Sequence, residues 1–399
     1  MRDSGIAVLA GVFAALGVMG CEPATERPAA VPEVTFDTTE SGVVHARYGA
    51  IPTEPTHELD VAFEVGTGSD VVFGDVRGIA LEPDETVLVL DHQASELYRF
   101  DTTGALIEVV GTSGEGPREI ASANGVHVDA EGAIWLNDHG RNALTRWLPD
   151  GGFETHPSFV NGYSYLWDGR VTDDGRIWVQ WRHADDSFGP AGAQEPGLVT
   201  GTLRSYYKRM EPSTGTVDSV LVGPEPVRGL RFERGTANVP FSPERLQTVD
   251  PRGSIWTAVS DAYRLVRLTP DGDTTVVVDI AAEPPPIGED ERREAIGRVE
   301  EFMERAGRIS VDWDEVLPDR APVLEHLTVD EQGNVWVQRK GEPGPVFEVF
   351  APDGRFLGQY RAGYAAFEGV PPVVRDGWLL AVQADSLDVQ SVVGVRLPR

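Results

Sequence analysis

The side chains that could do chemistry in this chain stand at repeated positions and not in one motif. A short unit recurs: an apolar strand, an aspartate, a turn containing glycine, then an aromatic or aliphatic strand. Aligned on that turn, five copies place Arg77, Asn124, Trp167, Arg245 and Glu325 near the start of the first strand. Arginines at 77 and 245 suit a carboxylate or phosphate, because a guanidinium forks onto two oxygens. They could equally pair with the many surface carboxylates. Trp167 offers a stacking face for a sugar or aromatic group. A second equivalence links Asp91-His92 with Asp138-His139 in the same loop of consecutive copies. Imidazole beside carboxylate is a donor set for a transition metal, although the repeat itself explains the pairing. His127 and His326 fall within first strands, where packing is the plainer role. No metal or other cofactor is expected, with His92 and His139 as the alternative pair. No nucleophile elbow, phosphate-binding loop, His-Glu-x-x-His helix or calcium loop occurs, so no catalytic residue is assigned.

The elements that must position these residues follow from the repeat. Its clear copies are Gly125–Asp129 with Gly132–Leu136, Val171–Val179, Thr248–Trp256 and Leu327–Val337. Weaker copies lie at Gly78–Asp91 and Pro372–Val382. Turn-to-turn spacings in the forties, with two near eighty that hold insertions, fit six four-stranded units. Each copy leads into a second hairpin, such as Pro149-Asp150-Gly151 or Pro352-Asp353-Gly354, where Asp-Gly signals a tight turn. The fold class predicted is all-β, a six-bladed β-propeller. A propeller must close its ring to avoid an open edge. The last copy lacks an outer strand, and Leu59–Val65 has no blade of its own, so it is expected to close the last blade. Two insertions stand out: Arg182–Leu203 in blade three, and a connection after blade four. In the second, Ala295, Ile296, Val299, Phe302, Met303 and Ala306 recur at helical spacing, predicting one amphipathic helix within about 287–307. Its apolar stripe is expected to pack on the propeller rim, the alternative being a lid or partner-docking helix near the channel mouth.

Charge and the N-terminus bound location and partners. The chain has 64 acidic and 34 basic residues, a net charge of −30, which repels phosphate backbones and makes nucleic acid an unsuitable partner. The single cysteine, Cys21, ends an apolar run from Ile6 to Gly20, too short to span a bilayer comfortably. Val18-Met19-Gly20-Cys21 resembles the bacterial lipobox, which implies cleavage after Gly20 and acylation at Cys21. Residues 1–20 are expected to be a lipoprotein signal peptide, 21–56 a flexible tether rich in Pro, Ala, Thr and Glu, and 57–399 the propeller.

Asn124–Gly151, preceded by Gly111–Pro117, resembles an NHL repeat, and the whole is similar to bacterial six-bladed β-propeller lipoproteins. That resemblance implies a lipid-anchored protein of the cell envelope, displaying a surface for a protein, peptide or glycan partner. NHL-like propellers also include lactonases and lyases that hold a divalent metal in the channel. For this chain the alternative is therefore a metal-dependent enzyme whose ligands begin with Asn124 and Glu325. A plain spacer is the third possibility, since fold alone does not give function.

Overall fold

The computed structural model describes residues 32–51, 55, 57–67, 71–159, 166–167, 169–184, 196–339, 344–365, 367 and 369–398. Cys21 and the expected signal segment lie outside these residues.

The repeat folds as its alternation dictates. In blade two, Ala123–Val128 pairs with Ile134–Asp138, then Ala143–Trp147, then Phe153–Pro157, all antiparallel. The first turn is held by Asp129, whose Oδ1 accepts from the N–H groups of Glu131 (3.1 Å) and Ala133 (2.8 Å). Gly132 closes it at a φ of 80°, which a side chain resists. Asp250 and Asp330 hold the same turn in blades four and five. The four-strand order recurs between Val76 and Ser113, Gly169 and Phe232, Arg245 and Ile280, and His326 and Ala362. Blade six has three strands of its own between Val373 and Arg396.

The N-terminal segment completes the ring. Strand β4 (Val61–Val65) pairs antiparallel with Gln390–Arg396 as the fourth strand of blade six. Phe63 lies opposite Gly394, where a Cβ would meet its ring at 2.0 Å, so glycine is required there. The predicted closing strand is thus present, but Leu59 belongs to a separate strand. β3 (His57–Leu59) adds parallel to the outer strand of blade five. The tether expected over 21–56 needs a larger correction. β1 (Val34–Thr38) and β2 (Val44–Tyr48) form a hairpin, and β2 pairs parallel with Thr274–Ile280 of blade four. Composition hid this because the apolar content is small. What matters is alternation: Ala46 and Tyr48 are buried, while Arg47 between them is exposed. The chain therefore runs along the outer edges of blades four, five and six before entering blade one.

The core is distributed around the ring. Six buried clusters lie one at each junction of neighbouring blades, including the junction of six with one. Trp147, Trp178 and Trp256, fully buried, supply large apolar areas to three of them.

A seventh cluster lies outside the ring. Strands alternate direction, so connections between blades and loops after second strands share one face, here called the upper face. In blade three the third and fourth strands run on as Gly197–Glu211 and Thr216–Phe232, past the end of the second at Ala184. A short strand, Gly235–Asn238, adds to this extension. After blade four, helix α1 (Glu289–Ala306) forms as the spacing predicts, and a short helix α2 (Trp313–Val316), unforeseen, follows it. Expected on the propeller rim, α1 instead packs Val299, Met303 and Ala306 against Leu230, Phe232 and Val239 of the extension. The third-blade insertion is thus partly a lengthened hairpin, and residues 185–195 within it lie outside the described set. Two insertions from separate blades share one core and form a cap.

Candidate functional site

Two repeated devices account for most of the suggestive polar residues. On the lower face, the aspartate ending the first strand ties the second and third strands together. Asp129 Oδ2 accepts from Trp135 Nε1 (2.8 Å) and Arg146 Nη2 (3.0 Å), and the guanidinium lies 5.3 Å from the centre of the Trp135 ring. Asp250 with Arg267 (3.0 Å), Asp330 with Trp336 (3.2 Å) and Glu82 with Arg99 (2.6 Å) are variants of it. On the upper face, the aspartate ending the second strand caps the loop entering the blade. Asp91 accepts from the N–H groups of Gly74 (2.8 Å), Asp75 (3.2 Å) and Gln93 (2.9 Å). Asp138 accepts from those of Ala121 (3.0 Å) and Ser122 (2.9 Å) and from Arg141 Nε (3.0 Å).

These commitments settle how the predicted residues are placed. His92 and His139 follow capping aspartates whose oxygens are already in use. His92 Nδ1 lies 2.8 Å from Ala123 O and must donate to it, while His139 opens a 3₁₀ turn, His139–Arg141. Asn124 is fully buried and accepts from the Asn137 amide. Glu325 accepts from Gln338 Nε2 at 3.3 Å. Among the described residues no three His, Cys, Asp or Glu side chains converge as a group that could hold a metal ion, and Glu325, His92 and His139 are not part of one. Trp167 presents no open stacking face. It is 9% exposed, its Nε1 donates to Trp178 O (3.1 Å), and it packs over Gly125. Arg245 spends Nε and Nη2 on Pro224 O (2.8 and 2.6 Å) and Nη1 on Thr257 (2.9 Å), which pins the blade-three extension. Arg77 remains half-buried at the start of its strand. Its Nε donates to Asp75 (2.8 Å), and its buried Nη1 makes no hydrogen bond.

The structure brings together a different set. In blades two to six a tryptophan on the second strand pairs with one residue of the innermost strand: His127, Arg170, Thr248, Thr328 and Arg375. In blade one Leu88 takes the tryptophan's place and its partner is Ala80. These six cross-strand partners, one per blade, are here called the layer. The pair is second from the first turn in blades one to five and last before it in blade six. His127, Arg170 and Arg375 lie close enough to act on one another electrostatically. All but Ala80 are half-buried. Several lean on the next innermost strand. His127 hydrogen-bonds the Val171 backbone, and Arg170 Nη1 donates to Val249 O (3.4 Å). Arg375 Nη1 reaches Val128 O (3.3 Å) in blade two, past blade one, where the ring member is only alanine. Burial, with Arg170 and Arg375 adding to it, pushes His127 down to about 3, so the ring is neutral at pH 7. Burial likewise pushes His326 down to about 4. Sequence reading passed over Arg170 and Arg375. The signal was available in the repeated tryptophan, whose cross-strand partner marks the layer. A cavity of about 450 Å³ between blades two and three, lined by Trp135, His156 and Glu211, lies at the lower turns and includes none of the predicted residues.

Comparison with known proteins agrees on the architecture. A family described as a 6-bladed beta-propeller matches residues 59–154, which hold the closing strand and the first two blades. No curated protein matches the chain by sequence. Similar solved structures include a gluconolactonase from Xanthomonas campestris, 18% identical over 82% of this chain and 87% of that one, with a TM-score of 0.43. A virginiamycin B lyase from Staphylococcus aureus is 12% identical over 81% and 95%, with a TM-score of 0.41. The calcium-binding protein regucalcin from Agrobacterium tumefaciens is 12% identical over 86% and 97%, also at 0.41. Likenesses this distant do not bear on activity. The sheet order described above is what fixes the blade count.

Proposed function

We propose that this chain is a lipid-anchored protein of the bacterial cell envelope whose propeller displays a binding surface for a protein, peptide or glycan partner. The observation that carries the reading is the cap. Blade three and the blade-four connection each extend onto the upper face, and they bury a common core of Leu230, Phe232, Val299, Met303 and Leu317. Two insertions that stabilise each other hold a surface in a fixed shape, which favours recognition because little order is lost on binding. The polar residues that would serve catalysis are mostly committed to turns and caps instead. Leu198, on the extension, is 45% exposed and gives this surface an apolar contact point.

The anchor adds geometry. Acylation at Cys21 would leave residues 22–33 to join the lipid to β1, a reach of at most about 40 Å. Since β1 and β2 sit on the edge of blade four, that edge would be held toward the membrane and the propeller kept close to it.

The test separates binding from channel chemistry. Metal analysis of the purified chain, with calcium- and zinc-dependent thermal shifts, is expected to be silent. A stoichiometric ion with a matching stabilisation would move the function to the metal-dependent hydrolase or lyase.

A further inference from the structure

We propose that the channel layer of Arg170, Arg375, His127, Thr248 and Thr328 is a binding site for a small oxyanion, a carboxylate or phosphate group. The inference deepens the binding-module reading and rests on it, making the channel the small-ligand subsite of the displayed surface.

Four observations support it. First, these side chains are the cross-strand partners of the second-strand tryptophans in five blades, none of them is a carboxylate, and His127, Arg170 and Arg375 are close enough to act on one another electrostatically. Second, the arginines have donors to spare. A guanidinium carries five N–H donors, yet Arg170 spends one hydrogen bond on Val249 O (3.4 Å) and Arg375 one on Val128 O (3.3 Å) among the described residues. Third, the nearby acids do not saturate them. Asp250 already holds Arg267 (3.0 Å) and two turn N–H groups, Asp173 is exposed on a lower turn, and Asp376, likewise exposed, pairs with Arg375 Nε at 3.5 Å without a hydrogen bond. Glu331 stands 3.5 Å from Arg375 Nε, and both its Oε1 and that Nε are buried without a hydrogen bond. Burial also raises the Glu331 carboxyl above its ordinary range, which weakens it as a competing anion. Fourth, Ala80 holds the equivalent position in blade one and offers no polar group there, and Arg375 reaches past blade one to Val128 O. Within protein walls, charge-assisted bonds to an oxyanion are stronger than in open water.

The test uses acetate and inorganic phosphate as probes, titrated by calorimetry into the chain at low ionic strength, with glycerol as a neutral control. Saturable binding of at least one anion is expected, and the comparison tells carboxylate from phosphoryl preference. Arg170→Gln and Arg375→Gln should each weaken it about tenfold or more, as loss of a charged hydrogen bond implies. Arg355→Gln, on an exposed turn, should leave it unchanged. Should either arginine variant fail to fold, Ala80→Leu, which adds bulk at the blade-one position of the layer and keeps both charges, and Thr328→Val should still weaken binding. No saturable binding to the parent chain, or equal binding in all variants, would overturn the site. Anion binding retained without any captured partner would sink the display reading and leave the site standing.

Discussion

Replacing Tyr48 by phenylalanine tests whether the N-terminal hairpin belongs to the ring. Tyr48 is 4% exposed, and its hydroxyl donates to Gly354 O (2.8 Å) while accepting from the Phe356 N–H (2.8 Å). Both partners lie in the outer hairpin of blade five, so one hydroxyl joins β2 to the neighbouring blade. Phenylalanine keeps the ring, which packs edge-on to Phe350 at 5.8 Å, and removes only the oxygen. A buried carbonyl and an N–H are then unsatisfied, at about 1–3 kcal/mol each, or about 2–6 kcal/mol together. Tyr48→Ala also leaves a cavity and should cost at least about 4 kcal/mol. Urea unfolding followed by tryptophan fluorescence measures this as a lower midpoint at unchanged slope. Phe36→Ala, at a side chain 47% exposed, serves as the control and should cost less than about 1 kcal/mol. If both Tyr48 variants unfold at the parent midpoint, β2 does not dock and residues 34–48 return to the tether.

Further expectations concern closure, the buried network, pH and the anchor. Gly394→Ala drives a Cβ into the Phe63 ring and should cost about 1–3 kcal/mol, with faster proteolysis at β4; unchanged proteolysis would argue against that closure. Glu348, fully buried, accepts from Tyr263, Arg339 (2.6 Å) and Gln359 (2.9 Å), so Glu348→Leu should destabilise by about 3–5 kcal/mol in chemical unfolding, and a neutral result would refute the network. His127 and His326 have folded values below the unfolded one, so the unfolded state takes up protons first as pH falls. Stability should be full above about 6.5 and decline toward 4, by at most about 1.4 kcal/mol per pH unit per ring, and His326→Gln should flatten the slope. A slope unchanged in that variant would exclude His326 as a source. Cys21→Ser should abolish labelling by a radioactive or clickable lipid; labelling that persists would remove the anchor.

The repeat made the ring legible because its signals are local. Asp129, Gly132 and Trp135 lie within one turn, and the same spacing recurs in other blades. Closure by Val61–Val65 was legible by counting strands. The edge strands β1 to β3 were not, because an outer strand needs only one buried face, and Ala46 with Tyr48 is too little to register as composition. The helix α1 could be read from its periodicity, but its partner could not. Its apolar stripe meets Leu230 and Phe232, far away in sequence, on an extension that looks like ordinary strand. The candidate site was read least well. Aligning on turns found the starts of the innermost strands, where Arg245 and Asn124 serve the fold. Arg170 and Arg375 became visible only once strand register paired them with Trp178 and Trp378.

The central claim is that the capped upper face is where this protein meets its partner. Photo-crosslinking from single positions, in cells and with the anchor intact, tests it most directly. A probe at Leu198 on the cap should yield one discrete, saturable crosslinked species, while a probe at Leu357, on the outer strand of blade five and equally exposed at 47%, should not. Crosslinks from Leu357 alone, or none from either position, would contradict it.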